Sequence, residues 1–180
     1  SRDGQWVVYR KAGGDFTRGI TYGLNPGLYT ARLDGPGEPR LVREAGFTPR
    51  FNRDGTRIFY NGFRNGNFVL ASADLDGSDD RVHLQSPNAT SIVPSPDERW
   101  VAFVERYRTY VAEFPQTGRT IDMGPRTNAF RVAQVSRDSG FYLQWAPDSS
   151  KVYWTQRPEL FTRELARTFA FYRDGNAPRT

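Results

Sequence analysis

The sequence of 180 residues contains no cysteine and a single histidine, and it has two lysines beside 23 arginines. Without cysteine the chain has no disulfide framework, no thiol nucleophile and no cysteine-ligated zinc site. No run of about 18 apolar residues occurs, which excludes a membrane-spanning helix. The first residues also lack the pattern of a secretory signal peptide. These absences exclude several function classes without restricting the compartment.

The positive charge raises the question of nucleic-acid binding, since the formal net charge is +5. The arginines are scattered, however, and 20 acidic residues are interleaved with them. The densest basic and aromatic stretch, "ERYRTYV" at 105–111, alternates as an ordinary strand would, with Arg106 and Arg108 on one face and Tyr107 on the other. We therefore predict no nucleic-acid partner.

The composition favours an all-β fold. Aromatic residues make up 14% of the chain, and 17 glycines and 12 prolines indicate many turns. The best helical candidate is "PELFTRELART" at 158–168, with a proline near its start. The same stretch is equally compatible with a strand followed by a turn.

One short text occurs four times: "SRDGQWVVY", "NRDGTRIFY", "SPDERWVAF" and "APDSSKVYW". Its turn aspartates are Asp3, Asp54, Asp97 and Asp148, at spacings of 51, 43 and 51 residues. Periods of about 40 to 50 residues are typical of four-stranded propeller blades. The strand that follows each turn is apolar on successive residues, as in a strand buried on both faces.

The turn residues have a physical explanation. An aspartate side chain accepts a hydrogen bond from a backbone amide two residues further on. Glycine supplies a positive φ without a Cβ clash. Glu98 and Ser149 replace that glycine in the third and fourth copies.

The repeat predicts a propeller segment of about four antiparallel, four-stranded blades. The expected bounds are 1–46, 47–88, 89–124 and 142–180, with an insertion at 125–141. In the first unit no strand precedes the turn, so this blade is expected to be incomplete. We therefore expect the 180 residues to be a segment of a longer protein.

The unit "NRDGTRIFYNGFRNGNFVLASADLDGSDDRVHL" resembles the TolB-type (WD-type) propeller repeat over its whole length, and "SPDERWVAF" and "APDSSKVYW" resemble it over turn and strand. A narrower resemblance joins "DGQWVVYRKAGGD", "NPGLYTARLDG" and "YLQWAPDSSKVYWTQRPELFTREL" to the propeller part of bacterial exported proteins that also carry an amidohydrolase domain. The resemblance implies a periplasmic or other extracytoplasmic location. It also implies a non-catalytic module for protein or domain interaction within a larger hydrolase. The alternative is that the parent is an amidohydrolase- or peptidase-type enzyme and this segment gates substrate access.

Candidate chemistry within the segment is sparse. The four acids of "DLDGSDD" at 74–80 suggest calcium, but an EF-hand loop needs glycine at its sixth position and glutamate at its twelfth, and here Gly77 is fourth and Gln85 is twelfth. A histidine-pair metal site is impossible because His83 is the only histidine. No Gly-x-Ser-x-Gly motif presents a serine to His83. We predict no catalytic, cofactor-binding or metal-binding residue.

Two long segments, 11–27 and 124–141, are the candidate recognition loops, because propellers present such loops at their rims. Arginine and aromatic residues are enriched at binding hot spots. The candidates of this type are Phe16, Arg18, Tyr22, Arg126, Phe130 and Arg131. They are expected to contact a partner protein or an adjoining domain, or else to pack over neighbouring blades.

Overall fold

A computed structural model describes residues 1–12, 25–35 and 37–169 of the chain. The described residues form fifteen strands and one helical turn. The elements are β1 (Trp6–Lys11), β2 (Gly27–Arg32), β3 (Arg40–Arg43), β4 (Phe47–Phe51), β5 (Arg57–Arg64), β6 (Asn67–Asp74), β7 (Arg81–Ser86), β8 (Ala89–Pro94), β9 (Trp100–Glu105), β10 (Arg108–Glu113), β11 (Ile121–Asp122), β12 (Val132–Ser139), β13 (Phe141–Trp145), β14 (Lys151–Gln156), β15 (Glu159–Glu164) and α1 (Leu165–Thr168).

The strands form four sheets, and each sheet contains antiparallel pairs. Their strand orders are β1-β2-β3, β11-β7-β6-β5-β4, β12-β10-β9-β8 and β13-β14-β15. Within each sheet consecutive strands lie side by side, as expected for the meander of a propeller blade, except that β11 is added beside β7 and β12 beside β10. The first sheet consists of β1, β2 and β3, and its repeated turn comes directly before β1.

The chain divides into two compact units, Ser1–Gln85 with Gly118–Ile121 and Ser86–Thr117 with Asp122–Thr180. In the first unit, Leu28, Ile58 and Tyr60 belong to one core between the sheets. In the second, Val111, Trp145 and Trp154 belong to another. Apolar burial of this kind stabilises by roughly 25 cal/mol per Å² removed from water.

All four repeated turns are held by their aspartate. The Oδ1 atom of each accepts a hydrogen bond from the backbone amide two residues on, at 3.0 to 3.1 Å. The residue at the third turn position has positive φ in every copy, whether or not it is glycine. The angles are +69° at Gly4, +77° at Gly55, +58° at Glu98 and +64° at Ser149. The backbone of the turn therefore has the same geometry in all four copies, although glycine is replaced in the third and fourth.

Burial on successive residues is seen in β5, where 58–62 are buried, and in β9, where 101–105 are buried. The other two repeat strands differ from the prediction. In β14 the buried Val152 and Trp154 alternate with half-buried residues, and β1 has no fully buried residue. A run of apolar residues in the sequence does not show whether a strand is buried on one face or on both.

Three local predictions need correction. The segment 125–141, predicted as an insertion, contains β12, which pairs with β10 as the outermost strand of its sheet. The stretch 105–111 is not a continuous strand, because β9 ends at Glu105 and Arg106 and Tyr107 form a turn with positive φ. The stretch 158–168 follows the strand alternative, with β15 leading into the single turn α1.

Across the described residues no helix has the length and apolar character needed to cross a membrane.

Candidate functional site

The only histidine lies in a buried network of the first unit. His83 Nε2 is 2.8 Å from Ser72 Oγ, which also accepts a hydrogen bond from Nε of Arg57 at 3.1 Å. Burial, and then the charges of Arg57 and Arg81, lower the pKa of His83 to about 4. The pair resembles half of a Ser–His nucleophile, but Ser72 is only 1% exposed. The Ser72 hydroxyl is therefore shielded from solvent.

The acids of the 74–80 turn form ion pairs and hydrogen bonds with other groups of the protein. Asp74 and Asp79 both pair with Arg57, and Asp79 also pairs with Arg81. Asp76 closes its own turn by accepting a hydrogen bond from the Ser78 amide at 2.9 Å. Within the described ranges no group of three or more His, Cys, Asp or Glu side chains is placed to hold a metal ion.

Asp80, the last acid of that turn, accepts a hydrogen bond from the Tyr60 hydroxyl and pairs with Arg43 and Arg64 at 3.3 and 3.2 Å. Burial, and then the hydrogen bond to Asp80, raise the pKa of Tyr60 to about 12. The tyrosine is therefore neutral over the physiological range. The network ties β3, β5 and the start of β7 together.

Only one of the two predicted recognition loops has its candidate residues among the described residues. Phe16, Arg18 and Tyr22 lie outside the described residues. Arg126, Phe130 and Arg131 line one cavity of about 580 Å³ beside the end of β10. The Arg131 guanidinium pairs with Glu113 and lies 5.7 Å from the centre of the Phe169 ring, so its charge is already engaged. That ion pair lowers the pKa of Glu113.

The opposite end of the same unit carries a surface that sequence reasoning missed. Three connections meet there, and each is taken together with the strand residues next to it: 106–108 at the β9–β10 turn, 139–142 where β12 leads into β13, and 157–160 at the β14–β15 turn. We call these residues the hairpin edge. Four of its apolar side chains are strongly exposed, namely Tyr107 (72%), Phe141 (49%), Tyr142 (85%) and Leu160 (70%).

Backbone contacts join the three connections into one surface. The amide of Gly140 donates to the carbonyl of Tyr107 at 2.8 Å. Phe141 pairs in register with Thr155, which pairs in turn with Leu160. Glycine allows this close approach at 140, because a Cβ there would overlap Oγ1 of Thr109.

The hairpin edge is also strained. Ten described residues other than glycine have positive φ, and four of them lie here. Positive φ is unfavourable for residues with a Cβ by about 1–2 kcal/mol each, and strain of this kind clusters at functional sites. The four residues and angles are Arg106 (+46°), Tyr107 (+73°), Tyr142 (+53°) and Arg157 (+57°).

Beside the hairpin edge lies an open groove of about 920 Å³, between β12 on one side and β14 and β15 on the other. Its apolar lining is Val135, Trp154 and Phe161, and the last two rings stack at 5.9 Å. Its charged lining consists of three arginines, Arg137, Arg157 and Arg163, and two acids, Asp138 and Glu159.

The sequence offered one usable signal for this surface. The β5–β6 turn in the second repeat has Asn65-Gly66, the favoured pair for a two-residue hairpin. The equivalent turn in the third repeat has Arg106-Tyr107 at similar φ angles. If the two repeats are aligned as hairpins, instead of treating 105–111 as one strand, the replacement of Asn-Gly by Arg-Tyr at this turn is evident from the sequence.

No family model and no curated protein matches this chain. Solved structures match it in fold. TolB from Acinetobacter baumannii is 16% identical, with a TM-score of 0.64 over 91% of this chain and 40% of that chain. A putative TolB from Agrobacterium tumefaciens is 18% identical, with a TM-score of 0.56 over 86% of this chain and 51% of that chain.

The propeller domain of the Trilobed protease from Pyrococcus furiosus is 13% identical, with a TM-score of 0.52 over 90% of this chain and 66% of that chain. These similarities confirm the predicted fold, an all-β segment of a TolB-like propeller. The chain spans between 40% and 66% of the length of these three structures.

Proposed function

We propose that this propeller segment is a non-catalytic module that binds a partner protein or an adjoining domain through the hairpin edge. One observation carries the proposal: four large apolar side chains are exposed together on a strained backbone at one end of one unit. Clustered exposed apolar residues mark interaction sites far more often than scattered ones do.

The residue types at this edge support the same function. Tyrosine and arginine dominate the energetics of protein interfaces, because they combine a large contact area with directed polar groups. The hairpin edge contains Tyr107 and Tyr142 together with Arg106, Arg108 and Arg157.

We further propose that the segment belongs to a larger exported protein that carries a hydrolase domain. The support is the sequence resemblance to propellers joined to amidohydrolase domains. The periplasm or another extracytoplasmic space is then the proposed location.

A second function is that the segment shapes substrate access to a hydrolytic domain of the same parent. The observation that favours it is the similarity to a propeller domain of a protease. In that case the hairpin edge borders the access route instead of docking a separate protein.

The test of the binding function is a selection of random displayed peptides on the full 180-residue chain, followed by affinity measurements by fluorescence anisotropy. The double variant Y107S/Y142S should lose about tenfold or more in affinity for the selected peptides. Leu33→Ser is the matched control, since Leu33 is 64% exposed but lies in the other unit, and it should bind as the unchanged chain does. Equal binding by the double variant, or no selected peptide at all, would contradict the proposal.

The two functions separate in the complete parent protein. If the edge gates access, Y107S/Y142S should change KM for a large substrate but not for a small chromogenic one. If the edge is a docking site, both substrates should be hydrolysed unchanged while partner binding is lost.

A further inference from the structure

We infer that the groove beside the hairpin edge takes an extended acidic segment of a partner polypeptide that carries apolar side chains. The inference rests on the proposed binding function and specifies the chemistry of the partner.

Charge supports the first part of this inference. Five arginines at the hairpin edge and groove form no ion pair with any described residue. Arg57, Arg64 and Arg131 are engaged by carboxylates. Arg99 and Arg126, at the other end of the same unit, also form no ion pair with a described residue, but they do not line this groove. The five at the hairpin edge and groove are Arg106, Arg108, Arg137, Arg157 and Arg163.

The local acids do not cancel these charges. Glu105 is buried and accepts a hydrogen bond from Ser86 Oγ at 3.1 Å, while Asp138 and Glu159 line the groove. Against five guanidinium groups this leaves an excess of two positive charges. Complementary charge steers association and fixes the register of a bound chain.

The shape of the site supports an extended polypeptide. The groove runs along β12, which is the terminal strand of its sheet among the described residues, and β14 and β15 lie on its other side. Terminal strands present unpaired backbone N–H and C=O groups, which an extended segment can join by strand addition. The apolar lining of Val135, Trp154 and Phe161 then receives alternate side chains of that segment.

A nucleic-acid strand fits less well, because it would place a continuous row of phosphates beside Asp138 and Glu159. An acidic peptide avoids this conflict, because its charges and apolar residues alternate.

The experiment uses the peptides selected on the full chain as probes. We expect them to be enriched in Asp and Glu with interspersed aromatic or aliphatic residues, and to bind about tenfold more weakly to R137E/R163E. Their affinity should also fall as salt is raised, since exposed charges are screened. The matched control is R99E/R126E, a double charge reversal at exposed positions in the same unit but at its other end.

Three outcomes would overturn the inference. One is selected peptides that need Tyr107 and Tyr142 but are neutral or basic, which leaves the binding function intact. Another is loss of binding in R99E/R126E with R137E/R163E unaffected, which moves the site to the opposite end. The third is competition by a single-stranded oligo-dT at the same concentration as an acidic peptide, which assigns the groove to nucleic acid.

Discussion

At the scale of single residues, His83 shows how a strand changes the chemistry of one side chain. In sequence it is an isolated histidine in an outer strand. In the fold its ring packs edge-on against Phe59 with 5.5 Å between centroids, and its Nε2 faces Ser72. Burial beside two arginines lowers the pKa from 6.5 to about 4, so the neutral ring is part of the folded state.

This shift predicts a pH dependence of stability. The folded pKa lies below the unfolded one, so the stabilisation is complete above about pH 6.5 and is lost as pH falls towards 4. Between about pH 7 and pH 5 the free energy of unfolding should drop by about 1–2 kcal/mol. Urea titrations at the two pH values measure it.

The variant His83→Gln serves as the control, because glutamine does not titrate. The turn carboxylates, such as Asp54 and Asp148, have pKa values below 3.8 and do not contribute in this window. A drop of equal size in His83→Gln would show that another group is responsible.

At the scale of secondary-structure elements, two hairpins with the same role have opposite chemistry. The β5–β6 turn uses Asn65-Gly66, whereas the β9–β10 turn places Arg106-Tyr107 at positive φ. Residues with a Cβ are unfavourable at both positions of such a turn. The β9–β10 turn is therefore less stable than the β5–β6 turn, but it places an arginine and a tyrosine side chain at the surface.

Exchanging the turn residues tests this trade-off. R106N/Y107G should raise the free energy of unfolding by about 1–2 kcal/mol and should weaken binding of the selected peptides. Denaturant titration and fluorescence anisotropy measure the two effects. The reverse exchange, N65R/G66Y, should lower stability by a similar amount and leave peptide binding unchanged. A less stable R106N/Y107G variant would mean that the native pair makes compensating contacts.

At the scale of the whole molecule, stability comes from packing between sheets inside each unit. In the second unit, Nε1 of Trp145 on β13 donates to the carbonyl of Val93 on β8 at 3.0 Å. The Ser149 hydroxyl likewise accepts from the amide of Asp97, joining two repeated turns at 3.0 Å. Both contacts connect sheets that are far apart in sequence.

The substitution Trp145→Phe should therefore lower the free energy of unfolding by about 1–3 kcal/mol, because the buried Val93 carbonyl loses its donor. Trp154→Phe is the comparison, because Trp154 is 4% exposed in the same core. This substitution removes a similar area of buried side chain. Denaturant titration should show the larger loss for Trp145→Phe. Equal losses would assign the effect to ring area rather than to the hydrogen bond.

The sequence by itself determined the repeated corners. In each turn the aspartate oxygen accepts a hydrogen bond from an amide just two residues away, and φ is a local angle. The turn residues and their spacing were therefore sufficient to predict the blades. It did not determine where strands of different blades end, and so it predicted 125–141 as an insertion and 105–111 as a strand. The outer strand β12 forms only because β10 supplies its hydrogen-bonding partner.

Only the tertiary structure decided the candidate site. Tyr107, Tyr142 and Leu160 are separated by many residues and carry no shared motif. They become one surface because β10 pairs with β12, Gly140 permits close approach to β10, and β14 pairs with both β13 and β15. Local interactions specify the corner of each blade, whereas exposure and proximity at the hairpin edge depend on long-range strand pairing.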